Sequence, residues 1–373
     1  MSETRTPGTE NECATSSPVM LRSRPLRGLG DPADDSGLRL TMPTEGPLVD
    51  TYGRIHSDLR ISVTDRCNFR CVYCMPEEGV PFLPREQILT YEEITSVARV
   101  ARMLGVSSVR LTGGEPLIRK GVVGLVRQLA ELGFDDVALT TNGTELERLA
   151  QPLADAGLTR VNISCDTLRP ARFGTIRRRG DLASVLAAMD AAEDAGLVPL
   201  KVNVVVMAGV NQDEIIDFCK FAREYGRIVR FIEYMPLDAG AQWDRSQVAS
   251  AESTLAAISE WWPLVACDPG GEDSAPAERY KFGDGIGEIG IVASVTRPFC
   301  GTCNRLRLTA DGAIRNCLFS DDEPSVRDVV RRGGSEEELA LVLRRAVWGK
   351  RAGHGISGPD FLPPARSMSM IGG

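Results

Sequence analysis

From Asp58 onward the chain alternates short β-branched, apolar runs with longer stretches whose apolar positions recur at helical spacing. The runs at residues 59–64, 108–112, 136–141, 160–164, 198–206 and 228–234 predict strands. The stretches 91–104, 121–132, 145–156, 182–195 and 213–225 predict helices. Thr90 with Glu93, Thr144 with Glu147 and Asn211 with Glu214 have the spacing of capping boxes, in which side chains satisfy the first free amides. Gly105, Gly133, Gly157, Gly196 and Gly226 follow helical stretches, where a left-handed C-cap is expected. This succession predicts an α/β fold of parallel strands joined by right-handed crossovers. Periodicity leaves an open doubly wound sheet and a full or partial barrel as alternatives. Either one gathers chemistry at the C-terminal ends of its strands.

The pattern stops on both sides of this region. Residues 1–50 are rich in Ser, Thr, Pro, Gly and Asp and offer little surface to offset the entropy of ordering. A disordered extension is expected there, with an ordered strap allowed near residues 48–55. After about Tyr234 the alternation ends, and the Gly/Pro/Asp-rich residues 268–277 mark an irregular second region. The expected organisation is therefore 1–50, 51–240 and 241–373.

Composition narrows the class. With 43% hydrophobic and 25% charged residues over 373 positions, a core is assured. The net charge of −8 excludes the broad basic face of a nucleic-acid binder, although arginines and lysines that converge locally can still hold a phosphate ligand. No apolar run reaches the ~20 residues that span a bilayer, and the N-terminus lacks a secretory pattern. A soluble cytoplasmic protein is expected. Ten cysteines in a reducing compartment point to metal or catalysis rather than disulfides. Six of them form two tight groups; Cys13, Cys165, Cys219 and Cys267 stand alone in the sequence.

The first group, Cys67-Asn-Phe-Arg-Cys71-Val-Tyr-Cys74, follows the first predicted strand directly. Three thiolates on one loop can converge on one metal centre and leave a coordination position vacant. A structural zinc site normally has four protein ligands, and His56 is the nearest candidate to complete one. A 4Fe–4S cluster on three cysteines would instead keep one iron open to an exogenous ligand. The C-x3-C-x2-C spacing, with an aromatic before the last cysteine, resembles the radical S-adenosylmethionine superfamily. Thr112-Gly113-Gly114-Glu115-Pro116, at the end of the second strand, resembles that superfamily's glycine-glycine-glutamate segment. The resemblance implies that the open iron chelates S-adenosylmethionine, and that the reduced cluster cleaves it to methionine and a 5′-deoxyadenosyl radical.

The second group is Cys300, Cys303 and Cys317, the last lying after a hairpin-like stretch with Asp311-Gly312. Zinc completed by His354, or a redox C-x-x-C pair, is the plain alternative. Between these cysteines Arg305 and Arg307 alternate with Leu306 and Leu308, so both arginines point to one side of a strand. Arg60, Arg110 and Lys201 lie on the first, second and fifth strands, and Thr140 near the end of the third. A lysine inside an apolar run needs a partner, and this set suits a polyphosphate. A nucleotide-hydrolase phosphate loop is absent.

An ordered set of segments now resembles the GTP 3′,8-cyclase (molybdenum cofactor biosynthesis protein A) family from about Leu48 to Gly373. The set comprises Asp65-Arg66-Cys67, the segments at 110–114, 139–143, 161–166 and 230–235, Phe299-Cys300 through Leu308, and the terminal Gly372-Gly373. The family resemblance implies a partial, incomplete TIM-type barrel of about six β/α units, with an irregular C-terminal region carrying a second Fe–S cluster. It implies two 4Fe–4S clusters, with Cys67, Cys71 and Cys74 ligating the first and Cys300, Cys303 and Cys317 the second. Tyr73, Gly114, Ser164 and Met235 would contact S-adenosylmethionine. Arg60, Arg110, Thr140, Lys201, Arg305 and Arg307 would contact GTP, and the first triplet, Arg305 and Arg307 would serve catalysis. The radical would take hydrogen from ribose C3′, which then attacks guanine C8, the first step of molybdenum cofactor biosynthesis. Arg297 stays unassigned. A flavodoxin- or ferredoxin-type electron donor, a downstream cyclic pyranopterin monophosphate synthase and a homodimer are the partners the resemblance brings. The main rival is another twin-cluster radical enzyme, such as a peptide maturase; a non-catalytic zinc or electron-transfer module is the reading from a different class.

Overall fold

The computed structural model describes residues 41–267, 275–358 and 361–372. Most of the expected extension, and most of the Gly/Pro/Asp-rich segment at 268–277, lie outside these residues. Among the described residues eleven strands form one sheet: β1 (Asp58–Ser62), β2 (Ser108–Thr112), β3 (Asp136–Thr141), β4 (Arg160–Ser164), β5 (Lys201–Val206), β6 (Ile228–Glu233), β7 (Leu264–Ala266), β8 (Glu278–Phe282), β9 (Glu288–Val292), β10 (Arg305–Leu308) and β11 (Ile314–Arg315). Their order is β11-β10-β1-β2-β3-β4-β5-β6-β9-β8-β7. The eight strands from β10 to β9 in this order run parallel, and antiparallel pairings add β11 at one margin and β8 and β7 at the other.

The region after residue 240 was expected to be irregular; instead it extends both edges of the same sheet. Its strands are two to five residues long and several are charged, as in Glu278–Phe282, so they carry too little periodicity to be read. Glu233, at the end of β6, ties the region down. Its buried carboxylate accepts from the amides of Ala251, Val295 and Thr296.

Helices α1 (Tyr91–Met103), α2 (Val122–Glu131), α3 (Leu146–Asp155), α4 (Pro170–Arg177), α5 (Leu182–Asp194) and α6 (Ile215–Tyr225) follow the first five strands. Helices α7 (Ala251–Ser259), α8 (Arg327–Arg331), α9 (Glu336–Trp348) and α10 (Met368–Ile371) belong to the C-terminal region. The Thr90/Glu93 capping box is present. The other two expected boxes are not. Asn142 Oδ1 accepts from the Thr144 amide and hydroxyl, and α3 starts from Glu145 without a side-chain cap. Asn211 and Glu214 point elsewhere, Asn211 to the carbonyls of Asp166 and Val205 and Glu214 to Thr167 and Leu168. The five expected C-cap glycines all have positive φ.

Strand alternation divides the sheet into two chemistries. Leu59, Ile61, Val109, Leu111, Val137, Leu139, Val161, Ile163, Val202, Val204, Leu306 and Leu308 are buried in the apolar core that the helices cover. The intervening positions face the other way and are largely polar. A parallel sheet buried on both faces usually reads as continuous apolar runs. Here the departure marks where the site lies.

The ordered strap begins before the expected boundary at residue 50. Leu48 and Asp50 are fully buried, Val49 pairs with Ile55, and the Leu48 amide donates to Leu104 O at 3.0 Å. Asp50 also meets His56, Oδ2 to Nε2, at 3.2 Å. Burial pulls His56 from the usual 6.5 down to about 4, against the upward effect of Asp50, so it is folded as the neutral ring. The unfolded chain therefore binds the extra proton between about pH 6.5 and 4, and this contribution to stability is lost as pH falls through that window. Thermal melting followed from pH 7.5 to 4.5 should show a decline that is shallower in His56→Gln.

Candidate active site

The first triplet sits where β1 ends. Its loop is pinned by the end of α4: the amides of Arg70 and Val72 donate to Arg177 O and Ile176 O at 3.1 and 3.0 Å. Gly113 and Gly114 press against the entry to the same loop. The Gly114 amide donates to Thr64 O at 2.7 Å and the Glu115 amide to Arg66 O at 2.8 Å. A Cβ on Gly114 would lie 2.2 Å from Arg66 O. The glycines thus serve a backbone-to-backbone fit that shapes the cysteine loop. Glu115 is fully occupied as well, accepting from the Leu117 and Asn142 amides and the Thr141 hydroxyl, while burial pushes it up to about 7.

Around the sulfurs, Arg177 Nη1 donates to Cys71 Sγ at 3.2 Å and the Phe69 amide to Cys67 Sγ at 3.4 Å, while the Ser369 backbone acts on the Cys74 thiol to lower it. Arg177 also pairs with Asp166 at 2.8 Å, and Asp166 accepts from the Tyr73 hydroxyl at 2.8 Å. Burial pushes all three thiols up, Cys67 to about 12, and neighbouring cysteines add to it at Cys67 and Cys74. Together they can ionise only around a cationic centre.

The second triplet is built by the turn before β10 and the segment after β11. Cys303 receives Lys350 Nζ at 3.2 Å and Arg305 Nη2 at 3.4 Å. Burial alone would raise its thiol, but the Arg305 and Lys350 cations hold it down to about 6. His56 is engaged with Asp50, and His354 uses both ring nitrogens, on Ser294 O at 2.9 Å and the Ile356 amide at 3.2 Å. Among the described residues no three His, Cys, Asp or Glu side chains are gathered as ligands of a single ion.

A cavity of about 2260 Å³ covers the polar face of the sheet. It exceeds the ~300–1,000 Å³ of an ordinary ligand pocket, so it has room for a nucleotide beside a cofactor. Arg60, Arg110, Thr140, Lys201, Arg305 and Arg307 all line it, together with Cys300, Cys303 and Cys317. Parallel pairing sets Arg60 level with both Arg110 and Arg307. Of the residues expected at S-adenosylmethionine, Met235 lines the cavity, whereas Tyr73, Gly114 and Ser164 do not.

Basic side chains outnumber acidic ones along the cavity. Burial pulls Arg60 down to about 9 and Arg110 to about 10, each opposed by Asp58 and reinforced by neighbouring guanidiniums. Lys201 falls to about 7, through burial and then the charges of Arg230, Arg160, Arg110 and Arg279. Among the described residues, buried nitrogens of Arg60, Arg110 and Arg305 have no hydrogen-bond partner, and Arg60 Nε has only the more distant Asp58 carboxylate at 3.8 Å. A chain of net charge −8 thus gathers several of its cations on one wall.

Sequence reasoning missed several members. Arg230 lies beside Asn203 on the polar face, and Asn162 pairs in register with both Thr140 and Lys201. Both sat in quoted motifs, and their inward parity with Lys201 was the available signal. Arg307, besides lining the cavity, gives its Nη1 to Gly372 O. A Cβ on Gly372 would meet the Thr112 hydroxyl at 2.5 Å, so the tail runs from the first triplet, at Ser369, to the cation wall. Gly373 lies outside the described residues.

The sequence matches the Radical SAM superfamily over residues 61–222 and the Molybdenum Cofactor Synthesis C family over 227–356. It is 48% identical over 340 residues to the GTP 3′,8-cyclase of Streptomyces coelicolor, covering 90% of this chain and 100% of that one. The chain belongs to the GTP 3′,8-cyclase family. GTP 3′,8-cyclase 2 of Mycobacterium bovis is 47% identical over 95% of this chain and 97% of its own length. Among solved structures, SuiB of Streptococcus suis bound to the precursor peptide SuiA has a TM-score of 0.54 at 13% identity, over 74% of this chain and 65% of that one. The AdoMet-bound anSMEcpe structure scores 0.52 at 16% identity, over 80% and 78%. At these identities the likeness is one of fold alone. No helix among the described residues is long and apolar enough to cross a membrane.

Proposed function

We propose that this chain converts GTP to (8S)-3′,8-cyclo-7,8-dihydroguanosine 5′-triphosphate, with S-adenosylmethionine at the first triplet and GTP in the cation-lined cavity. Family membership makes it a radical S-adenosylmethionine enzyme of molybdenum cofactor synthesis. One observation carries the assignment of the site: cations from β1, β2, β5 and β10 converge in the cavity that also holds the second triplet, where basic side chains outnumber acidic ones.

Two 4Fe–4S clusters fit the two three-cysteine sets; when bound, the first would supply the electron that cleaves S-adenosylmethionine and the second an open iron for the guanine. The residues divide the remaining work. Arg60, Arg110 and Lys201 would pair with the triphosphate, and Thr140 would donate or accept at the nucleoside. Arg305 would hold the substrate beside the second triplet. Tyr73, Gly114, Ser164 and Met235 would contact S-adenosylmethionine, and Arg307 would act on GTP directly or through the Gly372 carbonyl it binds. We read the sheet as a partial TIM-type barrel, since its polar face encloses the cavity and its strand order leaves both margins unjoined. A flavodoxin- or ferredoxin-type donor, delivery of product to a cyclic pyranopterin monophosphate synthase, a homodimer and a cytoplasmic location complete the proposal.

Lys201 gives the test. Its depressed value means that binding a polyphosphate takes up a proton near neutral pH. GTP affinity should therefore fall as pH rises above about 7. Lys201→Ala should weaken GTP binding by about tenfold or more, as for the loss of one charge-assisted contact, and should flatten that pH dependence. Slow cleavage of S-adenosylmethionine should survive, as it should in Arg305→Ala. Isothermal titration of GTP at several pH values, with 5′-deoxyadenosine measured in parallel, decides this. Loss of both activities together would contradict the placement of Lys201 at the nucleotide.

A further inference from the structure

Lys350 follows α9 and has no part in the reading above. The residue is 5% exposed. Its Nζ donates to Cys303 Sγ at 3.2 Å, Cys303 O at 3.2 Å and Arg305 O at 3.1 Å. No carboxylate among the described residues pairs with it; the strongest charges acting on it are the Cys303 sulfur and two further cations, Arg54 and Arg305. Burying an ammonium is costly unless an anion meets it. The two carbonyls solvate the ammonium without neutralising it, so the sulfur is the anionic partner within reach.

The placement is held firmly. Arg54 on the strap donates to Cys300 O at 2.7 Å, Ala352 O at 3.0 Å and Arg351 O at 2.7 Å, clamping the residues after Lys350 onto the cysteine turn. The first triplet is different. There Arg177 meets Cys71 Sγ at the same 3.2 Å, but Asp166 pairs with that guanidinium. One sulfur in each triplet thus faces a buried cation, which is neutralised at the first triplet and left unneutralised at the second.

We propose that Lys350 is a positioning residue of the second triplet: its ammonium fixes Cys303 and makes the centre seated there the easier of the two to reduce. This rests on the two-cluster reading above. Hydrogen bonds to ligand sulfurs and net positive charge stabilise the reduced, more negative state of an iron–sulfur centre, and so raise its potential. Lys350→Met removes the charge at similar volume; Lys350→Arg keeps it.

The experiment is a potentiometric titration of the anaerobically reconstituted full-length chain, followed by electron paramagnetic resonance, with Cys71→Ser assigning the first centre. In the wild type the second centre should have the higher midpoint. Lys350→Met should make it about tenfold harder to reduce, a downward shift of about 59 mV for one electron. The first centre should not move, and Lys350→Arg should resemble the wild type. An unshifted second midpoint in Lys350→Met, equal shifts of both centres, or Lys350→Arg behaving as Lys350→Met would overturn the proposal. If Lys350→Met fails to retain the second centre, Lys350→Arg decides: retained iron and midpoint support the role of charge, and their loss refutes it. A wild-type chain holding about four irons instead of about eight would sink the two-cluster reading itself, whatever the variants do.

Discussion

Cys71→Ser should abolish GTP-dependent formation of 5′-deoxyadenosine while leaving the chain folded. Cys71 is the buried member of the first triplet, and serine keeps its volume but is a poor iron ligand. Iron after anaerobic reconstitution should fall from about eight to about four per chain, the remainder belonging to the second triplet. GTP binding should change little, because the cavity-lining cations lie on other elements. Iron and sulfide analysis, with GTP titration of the same sample, checks both halves. Full iron content in the variant would mean that Cys71 is not a ligand.

Gly114→Ala should be the most damaging substitution that touches no cysteine. The new Cβ would lie 2.2 Å from Arg66 O and 2.5 Å from Arg66 C, backbone atoms without a flexible side chain to yield. Overpacking of this kind costs ~1–3 kcal/mol and occasionally more. The strain falls on the entry to the cysteine loop, so we expect a lower melting temperature together with loss of the first cluster. Gly124→Ala in α2 is the control. Nothing lies within 4 Å of its added Cβ, and alanine in a helix interior gains ~0.5–1 kcal/mol over glycine. Equal melting temperatures and iron contents for the two variants would refute the steric account.

These contacts also define what the sequence could convey. The six strands and their helices were legible because each buries one face, and burial imposes a period that survives without a structure. Arg305 and Arg307 were legible for the same reason, flanked by two fully buried leucines. Helix α4 was not: within Pro170–Arg177 only Phe173, Ile176 and Arg177 are buried, too few to set a stripe. Arg177 was hidden with it, although it ends up against Cys71. The short strands of the C-terminal region escaped because their partners are remote in sequence; β10, for example, joins β1 with Arg305 opposite Asp58. Lys350 and Arg54 escaped for the same reason, since their partners are sulfurs and carbonyls that only tertiary folding supplies. The glycine pair was recognised, but its reason was not. A motif can mark a position without saying that it is the neighbouring backbone that leaves no room for a side chain.

The most direct test of the account is one anaerobic turnover with S-adenosylmethionine and GTP deuterated at C3′. The account predicts 5′-deoxyadenosine that depends on GTP, carries one deuterium and forms in step with a cyclised dihydroguanosine triphosphate. Deuterium-free 5′-deoxyadenosine, or an amount that is the same without GTP, would contradict it.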